Sequence, residues 1–348
     1  MLLSNETIDF GEDLTTALLG LDRLYRAENP GDDAGLVVLD MSLDHQPEAF
    51  SDYDDATVRF TELKAQSSGL PEPDRRMYYQ QVCDSKLALV RWRRGNLEFR
   101  DQISSFLHVP AEPASLAALD GLQSDMRTLL DSMGYGGDLA SQCALWESAN
   151  VVPGADVPEV LTELLDLAWD RTVQRMEIPA DRSDGMRVAG VTGVAYNARC
   201  DYLRRTIELN VDPVLTLPGL KHLAVHEGYP GHYVQFKLRE AWYREGRAPA
   251  DGLLSVVNTA SSCTFEGIAD NGMRVIDWID SDDDRLMALM NRYRAGIATV
   301  AAWKLHALRE PVESVTSWLR SMALVGGDGW VQNRMGFISA PERCALIW

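Results

Sequence analysis

Three histidines, His222, His226 and His232, fall within eleven residues of a chain that has six. They lie in and just before the stretch Leu223-Ala224-Val225-His226-Glu227-Gly228-Tyr229-Pro230-Gly231-His232-Tyr233. Two imidazoles with an acid beside the first suit metal-activated water: the ring nitrogens bind a cation such as Zn²⁺, and the carboxylate takes the water's proton. In the H-E-x-x-H pattern a four-residue spacing puts both imidazoles on one helix face. Here the spacing is six, which on a regular helix separates the side chains by about 120°. Pro230-Gly231 cannot continue a regular helix. The sequence therefore predicts a kink or bulge that can return His232 to the side of His226.

A third ligand is offered 40 residues after His226, by Glu266 in Phe265-Glu266-Gly267-Ile268-Ala269-Asp270. Its apolar neighbours Phe265, Ile268 and Ala269 predict an inward-facing acid. Thermolysin-like zinc peptidases (gluzincins) take a third ligand from a Glu on a separate helix, followed four residues later by an Asp. An acid so placed can orient a ligand imidazole, and Glu266-x-x-x-Asp270 has that form. His-Glu-Gly-Tyr-Pro-Gly-His followed by Val234-Gln235 resembles the H-E-x-x-P-G-H-H-x-Q signature of the bacterial family called domain of unknown function 885. Glu266-Gly267 is similar to that family's downstream E-G-W-A step, and Met133-Gly134-Tyr135, Arg334 and Pro341 are compatible with it. The resemblance covers roughly residues 120–348. It implies a helical fold grouped with the H-E-x-x-H metallopeptidases and carboxypeptidase Taq-like proteins. It also implies His226, His232 and Glu266 as metal ligands and Glu227 as general base. The sequence departs from the pattern where Tyr233 replaces the second His of the pair. It departs again at Pro341-Glu342-Arg343-Cys344-Ala345-Leu346-Ile347-Trp348, where relatives continue through a P-G-Q-A-x-x-Y-like segment, so a short or truncated C-terminus is expected.

Other side chains can support such a centre. His222 lies one turn before His226 and reads as a supporting or packing residue, with Asp270 in the same supporting class. Tyr229 and Tyr233 are candidates to donate a hydrogen bond to a developing oxyanion, and Arg334 to hold a substrate carboxylate bidentately. Two His and one carboxylate leave an open position on Zn²⁺, the mark of a catalytic site; Fe²⁺ or Mn²⁺ accept the same set. The expected function is metal-dependent hydrolysis of a peptide or amide bond in a small-molecule or short-peptide substrate. Tyr233 and the altered C-terminus keep two alternatives open: non-hydrolytic metal chemistry in small-molecule metabolism, and a non-catalytic metal-binding protein.

These residues need a scaffold, and the chain's 348 residues with 46% hydrophobic content are enough to build a core. Apolar stripes at helical spacing run over 13–27, 55–66, 74–107, 114–133, 157–176 and 281–309. Ser281-Asp282-Asp283-Asp284 reads as a helix cap. Loops are expected at Asn29-Pro30-Gly31, Gly134-Tyr135-Gly136-Gly137 and Gly326-Gly327-Asp328-Gly329. Thr206-Ile207-Glu208-Leu209-Asn210-Val211 alternates and reads as a short strand. The expectation is one mainly α domain over 1–348, with a helical part to 190, a metal-site part over 191–348, and the β element beside the metal-binding helix. A net charge of -19 repels phosphate backbones and anionic lipid, which excludes nucleic-acid and membrane-surface partners. Five scattered cysteines without a C-x-x-C pair predict reduced thiols. The N-terminal Met1-Leu2-Leu3-Ser4-Asn5-Glu6 has no signal-peptide pattern, so a soluble cytoplasmic protein is expected.

Overall fold

The structure, a computed structural model, describes residues 3–30, 35–194 and 196–348. Gly31 of the expected Asn29-Pro30-Gly31 turn, and Met1-Leu2, lie outside them. In chain order the elements are α1 (Asn5–Glu28), β1 (Val37–Asp40), α2 (Tyr53–Ser67), α3 (Pro73–Arg93) and α4 (Phe99–Leu107). There follow α5 (Leu116–Ser132), α6 (Leu139–Asn150), α7 (Val157–Val173), β2 (Arg187–Val191), β3 (Ala198–Asp201), β4 (Thr206–Asn210) and α8 (Leu217–Leu223). Then come α9 (His232–Arg244), β5 (Leu254–Val256), α10 (Ala260–Asp270), α11 (Gly272–Val275), α12 (Asp282–Ala302), α13 (Val312–Met322) and α14 (Gly327–Ser339). The fold is mainly α, as the stripes predict. Among the described residues no helix is long and apolar enough to cross a membrane.

Local chemistry sets the boundaries. The 13–27 stripe belongs to a helix that starts earlier, because Ser4 accepts the Thr7 N–H and caps α1, a contact worth about 1 kcal/mol. The stripe at 74–107 is two helices rather than one. Gly95, at φ +72°, donates to the Trp92 carbonyl while Asn96 donates to that of Arg91, the Schellman closure that a left-handed glycine permits. The expected loop at Gly326–Gly329 also needs correction: Gly326 (φ +81°) precedes α14, and the other three residues form its first turn.

The chain divides into two compact units. One comprises residues 1–111 and 235–266. Its core is built from Leu14, Ala17 and Leu21 of α1, Phe60 and Leu63 of α2, Val82 and Leu89 of α3, and Ile103 and Phe106 of α4. β1 pairs antiparallel with β5. Lys86 of α3 is fully buried, its Nζ donating to the carbonyls of Val257 (2.9 Å) and Asn258 (3.2 Å). Burial brings its amine down to about 7. Between that value and the ordinary lysine range, the unfolded chain holds a proton that the folded chain does not. The contribution to stability therefore rises with pH in that window and levels off below it. Measured by urea unfolding between pH 7.5 and 9.5, the wild type is expected to gain about 1 kcal/mol per pH unit relative to Lys86→Met.

The second unit comprises residues 112–234 and 267–348. α12 buries Leu286, Met290, Tyr293, Ile297 and Ala301, and α5 contributes Leu119, Met126 and Leu130 to the same core. Ser281 and Asp284 form the expected cap as a reciprocal capping box. Asp284 also pairs with Lys221 of α8 at 2.7 Å, tying the start of α12 to the helix that precedes the histidine motif. The predicted strand is β4, with Ile207 and Leu209 fully buried. It is the central strand of three, parallel to β2 and antiparallel to β3. α7 packs against β2 and against the turn that carries His226.

Candidate metal centre

α8 does not run straight into α9. From Ala224 to Gly228 the backbone widens into a π turn, and the Tyr229 N–H reaches the Ala224 carbonyl at 3.2 Å. The Gly231 N–H then donates back to the Val225 carbonyl at 2.9 Å, and α9 begins at His232. This is the predicted kink, and its tightness explains the glycine. A Cβ at Gly231 would lie 1.9 Å from the His226 carbonyl oxygen and 2.3 Å from that of Val225. The turn places the His226 and His232 rings edge to face, with centroids 4.7 Å apart.

α9 and α10 are held together just beyond the histidines. Gln235 donates its amide to the Phe265 carbonyl at 3.0 Å, and the Arg239 guanidinium stacks 4.5 Å from the Phe265 ring centroid. Glu266 follows Phe265 and rides on the same helix as Asp270. Among the described residues two groups of metal-ligating side chains are gathered, each with its ligand atoms within 4.8 Å of one another. They are His226, His232 and Glu266, and His222, His226 and Asp270.

Hydrogen bonding separates their roles. His226 Nδ1 lies 2.9 Å from Asp270 Oδ1, a hydrogen bond that a cation between those two groups would have to break. With Nδ1–H donating to Asp270, Nε2 carries the lone pair. Of the two groups, His226, His232 and Glu266 is the one that could take a cation with the His226–Asp270 hydrogen bond kept, Asp270 then holding the ring and tautomer of His226. His222 Nε2 is 3.7 Å from the same Asp270 oxygen. Burial, reinforced by His226 and opposed by Asp270, pulls its imidazole down to about 4, so it is neutral at pH 7. Tetrahedral zinc with bonds of about 2.1 Å separates its ligand atoms by about 3.4 Å, and the gathered atoms lie within 4.8 Å of one another. Replacing Asp270 by Ala is expected to weaken metal binding about 10- to 100-fold without abolishing it, as read by competition with a chelating dye.

Glu266 departs from the expectation of an inward-facing acid. It is exposed, as is Ile268, so the apolar neighbours do not bury it. Glu227 is the buried acid, only 7% exposed. Among the described residues its carboxylate has no hydrogen-bond or ion-pair partner. A carboxylate in that position carries a desolvation cost unless a ligand or water engages it. Burial, and next the Glu227 charge, push the Cys200 thiol of β3 well up.

The two tyrosines are occupied by backbone. Tyr229, 3% exposed, accepts the Met186 N–H at 2.7 Å, and burial pushes its phenol up to about 12. Tyr233, fully buried, donates to the Asp184 carbonyl at 2.6 Å. Their rings meet edge to face at 5.3 Å, and Trp169 of α7 meets Tyr229 at 5.0 Å. Both hydroxyls thus pin the 184–186 backbone to the histidine turn, the Tyr233 proton going to the Asp184 carbonyl while Tyr229 acts there as acceptor. Arg334 lies on α14 beside Trp330, and among the described residues no hydrogen bond or ion pair joins it to the ligand set. Sequence reasoning missed Leu165 and Val225. Their side chains approach Gly228 and Gly272 so closely that added Cβ atoms would lie 2.5 and 2.4 Å away. The glycines beside the two motifs were the available signal.

No known family profile matches the sequence, and no curated protein matches it. Two solved structures share its fold. One is a candidate lipoprotein from Colwellia psychrerythraea, with a TM-score of 0.56 and 11% identity, covering 95% of this chain and 61% of that one. The other is a candidate lipoprotein of unknown function from Shewanella oneidensis, with a TM-score of 0.50 and 12% identity, covering 84% of this chain and 64% of that one. The chain spans less than two thirds of either structure. At such identity the likeness shows the helical fold alone.

Proposed function

We propose that this protein is a metal-dependent hydrolase, zinc being the favoured ion, that cleaves a peptide or amide bond in a small substrate. The observation that carries the reading is Glu227: a buried carboxylate with no partner among the described residues, adjacent in sequence to a ligand-type histidine whose ring is oriented by Asp270. His226, His232 and Glu266 would hold the ion, which when bound supplies Lewis acidity, bringing a water's pKa toward neutrality and polarising a carbonyl. Glu227 accepts the water's proton and delivers it to the leaving amine. Asp270 keeps His226 in the tautomer that presents Nε2, and Tyr229 and Tyr233 hold the turn that sets the His226–His232 separation. The exposure of Glu266 favours a site open to substrate. We place the protein in the cytoplasm, a reading supported by its five free cysteines.

The test is a screen of short peptides and N-acyl amides with protein loaded with Zn²⁺, Fe²⁺ or Mn²⁺. Amide cleavage that is lost in Glu227→Gln supports the reading. Dioxygen uptake or elimination products without amide cleavage would replace it with non-hydrolytic metal chemistry. Bound metal with no turnover in any arm would replace it with a non-catalytic metal-binding role.

A further inference from the structure

Arg294 of α12 and Arg334 of α14 flank one indole, their guanidinium carbons 5.5 and 5.9 Å from the Trp330 ring centroid. The Nε of each is buried and has no hydrogen-bond partner. Among the described residues neither guanidinium forms an ion pair, whereas Arg26, Arg59, Arg171 and Arg182 each sit on a carboxylate. Carboxylates are not scarce in this chain, with 52 Asp and Glu against 33 Lys and Arg. Two guanidiniums against one indole, neither in a salt bridge among the described residues, leave positive charge for a ligand to neutralise. Burial, with repulsion from Arg334, pulls Arg294 down to about 10, which leaves it charged at neutral pH.

The surroundings set the size of that charge. Glu147 of α6 is the carboxylate whose field acts on Arg294, and its Oε1 accepts the Gly326 N–H at 2.8 Å. Two guanidiniums and one carboxylate sum to a single positive charge. Gly326 lies against the cluster: a Cβ there would be 2.9 Å from Trp330 Cβ and 3.0 Å from Arg294 Nη2. Gly327, on the same face of α14 as Trp330 and Arg334, has open space where a side chain would stand. We propose that Arg294 and Arg334, spaced by Trp330, form a binding site for one carboxylate of a small organic acid. Guanidinium N–H groups match the planar carboxylate, and the net single charge favours it over a phosphate dianion. The site shares no residue with the metal ligands and does not depend on them.

The test is a titration of the full chain with N-acetylglycine, read by tryptophan fluorescence and thermal shift. The neutral N-acetylglycinamide, inorganic phosphate and chloride at matched ionic strength serve as comparisons. Saturable binding of N-acetylglycine and none of the amide is expected. Arg294→Met and Arg334→Met should weaken it at least tenfold. Glu147→Gln, which keeps an acceptor for Gly326 and removes the opposing charge, should tighten it several-fold. His226→Ala should leave it unchanged, so that this site and the metal centre fail or stand separately. Equal response to the amide, absence of saturation, arginine variants with wild-type affinity, or Glu147→Gln without tightening would each overturn the proposal. A stronger response to phosphate would overturn the carboxylate assignment.

Discussion

Glu227→Gln is expected to lower turnover about 10²- to 10⁴-fold while leaving bound metal at the wild-type level. The substitution keeps the shape of the side chain and removes its ability to take a proton. None of the ligand atoms belongs to Glu227, so metal content should be unaffected. The loss should fall on kcat rather than KM, because the proton transfer belongs to the transition state. The buried carboxylate has no partner to lose among the described residues, so the variant should fold at least as well as wild type. A variant that lost activity and metal together would show Glu227 holding the site's structure instead.

Gly231→Ala is expected to be the most damaging small substitution in the second unit. The added methyl would sit 1.9 Å from the His226 carbonyl oxygen and 2.3 Å from that of Val225, both backbone atoms with no rotamer to relieve them. The cost should be about 3 kcal/mol or more in urea unfolding. Any relaxation must widen the turn that brings His226 and His232 together, so metal affinity should fall with stability. Gly121→Ala provides the comparison. It lies inside α5 with no atom within 4 Å of the new methyl, and should stabilise the protein by about 0.5–1 kcal/mol. A Gly231→Ala protein with wild-type stability and metal affinity would refute the tight-turn account of the site.

The gathering of the candidate ligands was legible because it is largely local. His226, Glu227 and His232 stand close in sequence, Pro230-Gly231 marks the break between them, and Glu266-x-x-x-Asp270 marks the second element. The form of the break was not, since a π turn closes through 224–229 backbone bonds that no apolar period encodes. The exposure of Glu266 reverses what its apolar neighbours suggest, because facing elements rather than adjacent residues decide which side of a short helix is covered. The helical character followed from the stripes, and β4 from the alternation of Ile207 and Leu209. The stop at Gly95 was missed because apolar spacing continues across it, although the glycine itself was there to read. β1 and β5 are too short for alternation to register, and their pairing joins residues about two hundred positions apart. Tyr229 and Tyr233 were read as chemistry because they border the motif, but the Met186 and Asp184 backbone groups that engage them lie over 40 residues away in sequence.

The measurement that bears most directly on the centre is metal stoichiometry by elemental analysis. It compares wild type with His226→Ala, His232→Ala and Glu266→Ala, each reconstituted with zinc and freed of excess. The account predicts about one equivalent in the wild type, as in mononuclear sites of this ligand type, and less than about a tenth of that in each variant. Equal metal in all four proteins, or none in the wild type, would contradict it.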